Sequence, residues 1–206
     1  MPDSIVVKEA LSALAFIITI ALFADYIRSV RVAETVPHVL SWVIWAVGTL
    51  IVCFAQLADG AGVGAWPIGF SACITGYIAY LAYGKRRQSS IKALDWVFLV
   101  LALCALPAWW LASDPVWAVV LLTSADLIGF GPTFRRAYHH PHQEHARFFA
   151  LGALRNVLVV FALERYSLAT MLFPTAVGAA CLALACLLCL RRMVVPARLA
   201  QTETAQ

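Results

Sequence analysis

The sequence predicts an all-α integral membrane protein: seven transmembrane helices forming two parallel three-helix repeats joined by an inversion linker helix, a 3+1+3 plan. Three observations predict it. Of the 206 residues, 63% are hydrophobic and only 13% charged, against about 25% charged in a soluble domain; mean hydropathy is +0.84. Apolar runs long enough to cross a bilayer recur along the whole chain. Polar landmarks in the first three runs return, in order, in the last three. The composition excludes a soluble enzyme, a nucleic-acid module and a disordered chain. The net charge of +4 gives no nucleic-acid signal, because the basic residues sit at the ends of apolar runs.

The runs fall at about 9–28, 37–57, 65–83, 92–112, 115–134, 147–164 and 170–190, each near the roughly 20 residues a crossing helix needs. Backbone polar groups in lipid must be satisfied within a helix or a closed barrel, and the alternating pattern of barrel strands is absent. Turn chemistry separates the runs: Asp59-Gly60-Ala61-Gly62-Val63-Gly64 after the second, Ser113-Asp114-Pro115 after the fourth. Asp25, Tyr26 and Arg28 follow the first run in place of a small-residue cleavage site, so a retained helix is expected there. The six cysteines (Cys53, Cys73, Cys104, Cys181, Cys186, Cys189) lie inside apolar runs and read as small packing residues.

Orientation follows from Lys and Arg. Twelve of them, from Arg28 and Arg31 to Arg191, Arg192 and Arg198, collect on one side, against Lys8 and Arg165 on the other. The N-terminus is therefore expected outside and the C-terminus inside. Trp66, Trp109, Trp110 and Trp117 cluster at the outer ends, as an interfacial belt does.

The repeat is read by superposing helices one to three on five to seven. Ala24-Asp25-Tyr26-Ile27-Arg28 falls on Pro132-Thr133-Phe134-Arg135-Arg136, and at the same offset Gln56 falls on Glu164. One deletion later, Pro67 falls on Pro174, and Arg86-Arg87 and Arg191-Arg192 close the units. A three-helix unit that starts outside ends inside, so a second copy of the same orientation needs one extra crossing. The units are 1–87, a linker helix in 88–112, a second repeat at 113–192, and a polar cytoplasmic tail at 193–206.

Gly131-Pro132-Thr133-Phe134-Arg135-Arg136-Ala137-Tyr138, followed by a polar loop and a new helix, resembles the Pro-Gln element of PQ-loop proteins, with Thr133 in place of the family's glutamine and no proline at Ala24-Asp25. That superfamily includes the SWEET sugar transporters and cystinosin-like amino-acid exporters. The resemblance implies a 3+1+3 transporter fold and a hinge at Pro132. Pro67 and Pro174, opening helices three and seven, join it as gate or hinge candidates.

Two charged residues lie at mid-depth: Asp126 in helix five and Arg155 in helix six. A charge at the bilayer centre costs at least about 2.5–3.5 kcal/mol and therefore faces a partner or a cavity. Adjacent in helix order, the two are expected to meet, either as substrate and coupling groups or as a structural ion pair. Asn156 adds hydrogen-bonding capacity at the same depth. Helix two carries a stripe at helical spacing (His38, Ser41 with Trp42, Trp45, Gly48 with Thr49, Val52, Gln56) that is expected to face the bundle interior. Trp45 and Thr49, with Tyr77 of helix three, complete the expected solute site, and Asp25 and His38 mark an inner gate. In the run from His139 to His145, Pro141 breaks any helical ligand spacing, so no metal or other cofactor is expected.

The last helix contains no lysine for a retinal Schiff base, and no buried nucleophile–base set appears, so an enzyme is not expected. The leading expectation is a transporter of a small polar solute, sugar-like or amino-acid- or organic-acid-like, in a bacterial cytoplasmic membrane. Its partners would be the solute and the bilayer, with no nucleic acid and homo-oligomerisation left open. Three alternatives stand beside it. Ser41-Trp42-Val43-Ile44-Trp45 is similar to the paired-tryptophan signature of nicotinamide riboside transporters, which points to vitamin- or nucleoside-like solutes. The other two are a non-transporting receptor or sensor and a structural subunit.

Overall fold

Hydropathy on this scale dictates helices, and the computed structural model is helical with no strand among the residues it describes: 2–32, 39–84, 93–139, 141–142, 144 and 146–195. The elements are α1 (Pro2–Arg31), α2 (Val39–Ala58), one 3-10 turn (Gly62–Ala65), α3 (Trp66–Tyr83), α4 (Ala93–Ala112), α5 (Val116–His139), α6 (Ala146–Ala162) and α7 (Leu168–Val194). Among the described residues, four stretches are long and apolar enough to cross a membrane: Ile5–Arg28, Gly62–Tyr83, Val116–His139 and Leu168–Val194. They fit an integral membrane protein. The apolar part of α2, Trp42–Ala58, is shorter, and α6 has 17 residues, about 25 Å at 1.5 Å per residue.

Several boundaries move from their expected places for local reasons. The first helix starts at Pro2, because proline suits a first helical turn and no breaker follows. The fifth runs through Gly131-Pro132 to His139 instead of ending near 134. Pro107 and Pro174 are likewise inside α4 and α7, as membrane helices tolerate. The seventh helix begins early because Ser167 caps it: its Oγ accepts from Thr170 N–H at 3.2 Å, while Thr170 Oγ1 accepts from Ser167 N–H at 3.0 Å. Ser167→Ala is expected to cost about 1 kcal/mol, read as a fall of roughly 2–4 °C in melting temperature.

The packing order differs from the sequence order. The α3 helix lies between α1 and α2, and α7 lies between α5 and α6; α2 then packs on α5, and α6 on α1. Six helices thus close a ring, α1–α3–α2–α5–α7–α6, with α4 outside it against α5 and α2. The core is shared across the ring by Val52 of α2, Val119 and Leu122 of α5, Val159 of α6 and Phe173 of α7. Cys53 and Cys181 are buried packing residues; a Cβ added at Gly69 would lie 2.8 Å from Cys53 Sγ, and one at Gly152 would lie 3.2 Å from Cys181 Sγ.

Candidate functional site

One end of the ring is capped. The α2–α3 connection and the α6–α7 connection interlock there through backbone and charge. Glu164 N–H donates to the Ala61 carbonyl at 3.0 Å, and Val63 N–H donates to Glu164 Oε1 at 3.1 Å. Asp59 pairs with Arg165 at 3.2 Å and accepts from the Ser167 hydroxyl. Beneath them, Gln56 Nε2 donates to the Thr170 carbonyl at 2.8 Å. The start of α1 joins the seal: Lys8 Nζ donates to the Leu163 carbonyl at 2.7 Å and Ser12 Oγ to the Val63 carbonyl at 2.8 Å. Gly64 permits close approach of the two backbones, since a Cβ there would lie 2.7 Å from Leu163 N and 2.8 Å from Leu163 Cα.

The other end is basic. It carries Arg28 and Arg31 at the end of α1, Arg135 on α5, Arg147 on α6, and Arg191 and Arg192 at the end of α7. Arg191 Nε donates to the Tyr138 carbonyl at 2.9 Å and Arg192 Nε to the Pro141 carbonyl at 3.0 Å, tying α7 to the end of α5.

Between the ends, the helix faces locate the interior. On α5, Ala118, Val119, Leu122, Thr123 and Ala125 are buried, and at about 100° per residue Asp126 falls in the middle of that face. On α2, Ile44, Gly48, Ile51, Val52, Ala55 and Gln56 are buried, and Trp45 falls toward one edge of that face. Toward the cap this interior is filled: Val52 and Gln56 are each 0% exposed. Asp126 and Trp45 point the same way from farther along and are only half-buried. Trp45 packs edge-on against Trp42, ring centroids 5.3 Å apart, and Trp42 lies 4.9 Å from Tyr26 of α1. The interior is therefore packed toward the capped end, and Trp45 and Asp126 lie farther from that end at half-buried positions.

Asp126 and Arg155 do not meet, contrary to the sequence expectation. The cause is the helix order: α7 stands between α5 and α6, so neighbours in sequence are not neighbours in space. Arg155 instead crosses from α6 to the other half of the ring. Its Nε donates to Thr19 Oγ1 of α1 at 3.0 Å, and its Nη2 donates to the Pro67 carbonyl of α3 at 2.9 Å. Thr19 can accept because its own hydroxyl proton goes to the Ala15 carbonyl at 2.7 Å. Arg155 is only 7% exposed, yet among the described residues it has no carboxylate partner, and its Nη1 makes no hydrogen bond. Asp126 has neither a hydrogen bond nor an ion pair among them.

The remaining candidates are placed as follows. Asn156 is buried; its Nδ2 donates to the Gly152 carbonyl at 2.8 Å, its Oδ1 is unpartnered, and its Cβ lies 2.9 Å from where a Cβ on Gly178 would be. Thr49 is half-buried on the Trp45 face. Tyr77 sits at the outside of α3, where its hydroxyl accepts from Arg31 and its ring lies 5.7 Å from that guanidinium. Pro67 is buried in the first turn of α3 and Pro174 in the second turn of α7. His38 lies outside the described residues, as do the side chains of Asp25 and Pro132. Sequence reasoning missed Thr19 as the partner of Arg155, and it missed the capped end, although the Gln56–Glu164 landmark marks its level. Thr123, a further buried hydroxyl without a partner, shares the Asp126 face. Comparison with protein-family models, with curated proteins and with solved structures gives no match.

Proposed function

We propose that this chain is a membrane transporter of a small polar solute, working by alternating access between two three-helix repeats, α1–α3 and α5–α7. The observation that carries this reading is the six-helix ring: each triplet places its third helix between the other two, and the two seams, α1 with α6 and α2 with α5, exchange under the same offset that aligns the sequences. That pattern supports a duplication with parallel repeats, in which α4 restores the orientation of the second copy. The excess of Lys and Arg at the basic end supports a cytoplasmic location for that end; the capped end is then the outward, closed one. In this arrangement, rocking one triplet against the other would break the Asp59–Arg165 and Glu164–Ala61 contacts. A PQ-loop-like fold is part of the same proposal.

The test is uptake of radiolabelled sugars, amino acids, organic acids and nucleosides into proteoliposomes. A cysteine pair at the cap, Asp59→Cys with Arg165→Cys, is expected to arrest uptake when oxidised and restore it when reduced; the unsubstituted protein treated alike controls for its native cysteines. Binding of a solute with no uptake of it would turn the reading to a receptor.

A further inference from the structure

We infer that the groove between α1 and α3 at the capped end is a lipid site. It takes phosphatidylethanolamine, with the ammonium headgroup on Glu9 and an acyl chain laid along α1; this goes beyond the transport reading and does not depend on it. The groove follows from the local build. Between α2 and α3 the chain inserts the 3-10 turn Gly62–Ala65, which packs against α1 and is tied there by the Ser12 hydroxyl on the Val63 carbonyl at 2.8 Å. Beside that tie, Glu9, Ala13, Phe16 and Ile17 of α1 face Val63 and Trp66 across a space of about 420 Å³. Ala13 leaves the space by carrying only a methyl group. Phe16 meets Phe70 of α3 with ring centroids 4.7 Å apart and closes the deep end. The walls are apolar, and Glu9 is the one charged residue among those that line them.

Depth makes a lipid the occupant. From Glu9 to Arg28, at the basic end of the same helix, is about 28 Å at 1.5 Å per residue, close to the roughly 30 Å of a bilayer's hydrocarbon. Glu9 therefore stands at headgroup level on the capped side, and Ile17, about 12 Å farther along α1, stands among the chains of that leaflet. Trp66 marks the same level as Glu9, its ring 56% exposed, as indoles are at a membrane interface. Below this rim the groove opens sideways onto hydrocarbon, so an acyl chain fills it. The rim selects the headgroup. Glu9 and the Trp66 indole N–H have no hydrogen bond or ion pair among the described residues. The neighbouring cation, Lys8, is turned away: its Nζ donates to the Leu163 carbonyl at 2.7 Å and lies 5.8 Å from the centre of the Tyr166 ring. Glu9 thus offers a carboxylate with no counter-charge among the described residues, which suits a primary ammonium that also donates hydrogen bonds. The indole N–H is placed to donate to a phosphate or ester oxygen of the same lipid. Val63, on the groove wall, is also the residue whose N–H Glu164 accepts, so a lipid seated here braces the closed cap.

The experiment is native mass spectrometry of the full chain in detergent, with thermal unfolding of the delipidated protein in parallel. Three lipids with identical palmitoyl-oleoyl chains are the probes. Phosphatidylethanolamine has the ammonium; phosphatidylcholine keeps the positive charge without N–H donors; phosphatidylglycerol has no cation. The ethanolamine lipid is expected to stay bound, to displace the other two, and to raise the melting temperature more than either. Glu9→Gln keeps the shape of the rim and removes its charge, so it should weaken the ethanolamine lipid by about two- to fivefold and leave phosphatidylglycerol unchanged or stronger. Ala13→Trp puts an indole into the groove and should remove retained lipid of every kind. If Ala13→Trp fails to fold, the headgroup ranking and Glu9→Gln, a change at an exposed position, still decide the question. No retained lipid, equal retention of all three, or an ethanolamine preference that survives Glu9→Gln overturns the inference. So does a dimer that appears when lipid is stripped and that Ala13→Trp breaks, which would give the groove to a second copy of the chain. Uptake by proteoliposomes decides the transport reading separately.

Discussion

Arg155→Met is expected to fold, to melt at or above the temperature of the unsubstituted protein, and to abolish solute uptake. Arg155 is buried without a counter-ion among the described residues, held by one hydroxyl and one carbonyl. Replacing a buried charge by an apolar side chain of similar length is often neutral or stabilising, because the desolvation penalty disappears with the charge. Methionine also keeps the packing that the arginine stem provides. Arg155→Ala, by contrast, leaves a cavity at the α1–α6 seam and is expected to cost about 2–5 kcal/mol. The comparison separates two roles that single truncation confuses. If Arg155 only ties α6 to α1, methionine will lower the melting temperature and leave uptake in the surviving protein; if it binds solute, methionine will preserve the melt and remove uptake. Melting curves and initial uptake rates on the same preparations make the distinction.

Gly64→Val is expected to be the most disruptive single change at the capped end. Its first added atom would fall 2.7–2.9 Å from backbone atoms of Leu163 and Ala162, and backbone cannot rotate aside as a side chain does. Overpacking of this kind costs about 1–3 kcal/mol, and the upper part of that range is expected here, a fall of roughly 6–12 °C in melting temperature. Because the clash lies between the two connections, the closed arrangement bears the cost, and reagents added from outside should reach Gln56→Cys in this background and not in the parent. Gly76→Ala is the control: its added Cβ meets only Ala46 Cβ at 3.8 Å, an ordinary contact, so the melt should hardly move.

The helices and their order were legible in the sequence because hydropathy at this level leaves few alternatives. Where ends shifted, the cause was local: the Ser167–Thr170 cap starts α7 early, and α5 carries Pro132 within a longer helix. The expected stripe on α2 is met in part: Gly48, Val52 and Gln56 are buried, Trp42, Trp45 and Thr49 are half-buried, and Ile44, Ile51 and Ala55 from beside the stripe complete the buried face. Proximity was not legible. Asp126 and Arg155 are neighbours in helix order, but the α1–α3–α2 and α5–α7–α6 arrangement is set by the packing of small residues such as Gly152 and Gly178, which spacing alone does not rank. The capped end was illegible for a different reason. Many of its acceptors are backbone carbonyls, at Ala61, Val63, Leu163 and Thr170, and a carbonyl leaves no mark in a sequence. Tyr77 went to the surface because its ring and hydroxyl are both satisfied by Arg31 at the α1–α3 edge.

Alternating access between the triplets is tested most directly by a distance across the capped end. Spin labels at Ala58→Cys and Tyr166→Cys, both exposed on the two interlocked connections, would be placed in a chain whose exposed native cysteines are replaced by alanine. Pulsed dipolar spectroscopy in proteoliposomes is expected to give a short distance matching the closed cap and a second, longer one, with a transported solute changing their proportions and Gly64→Val favouring the longer. A single short distance in every condition, Gly64→Val included, would mean that the cap does not open and would contradict transport by this route.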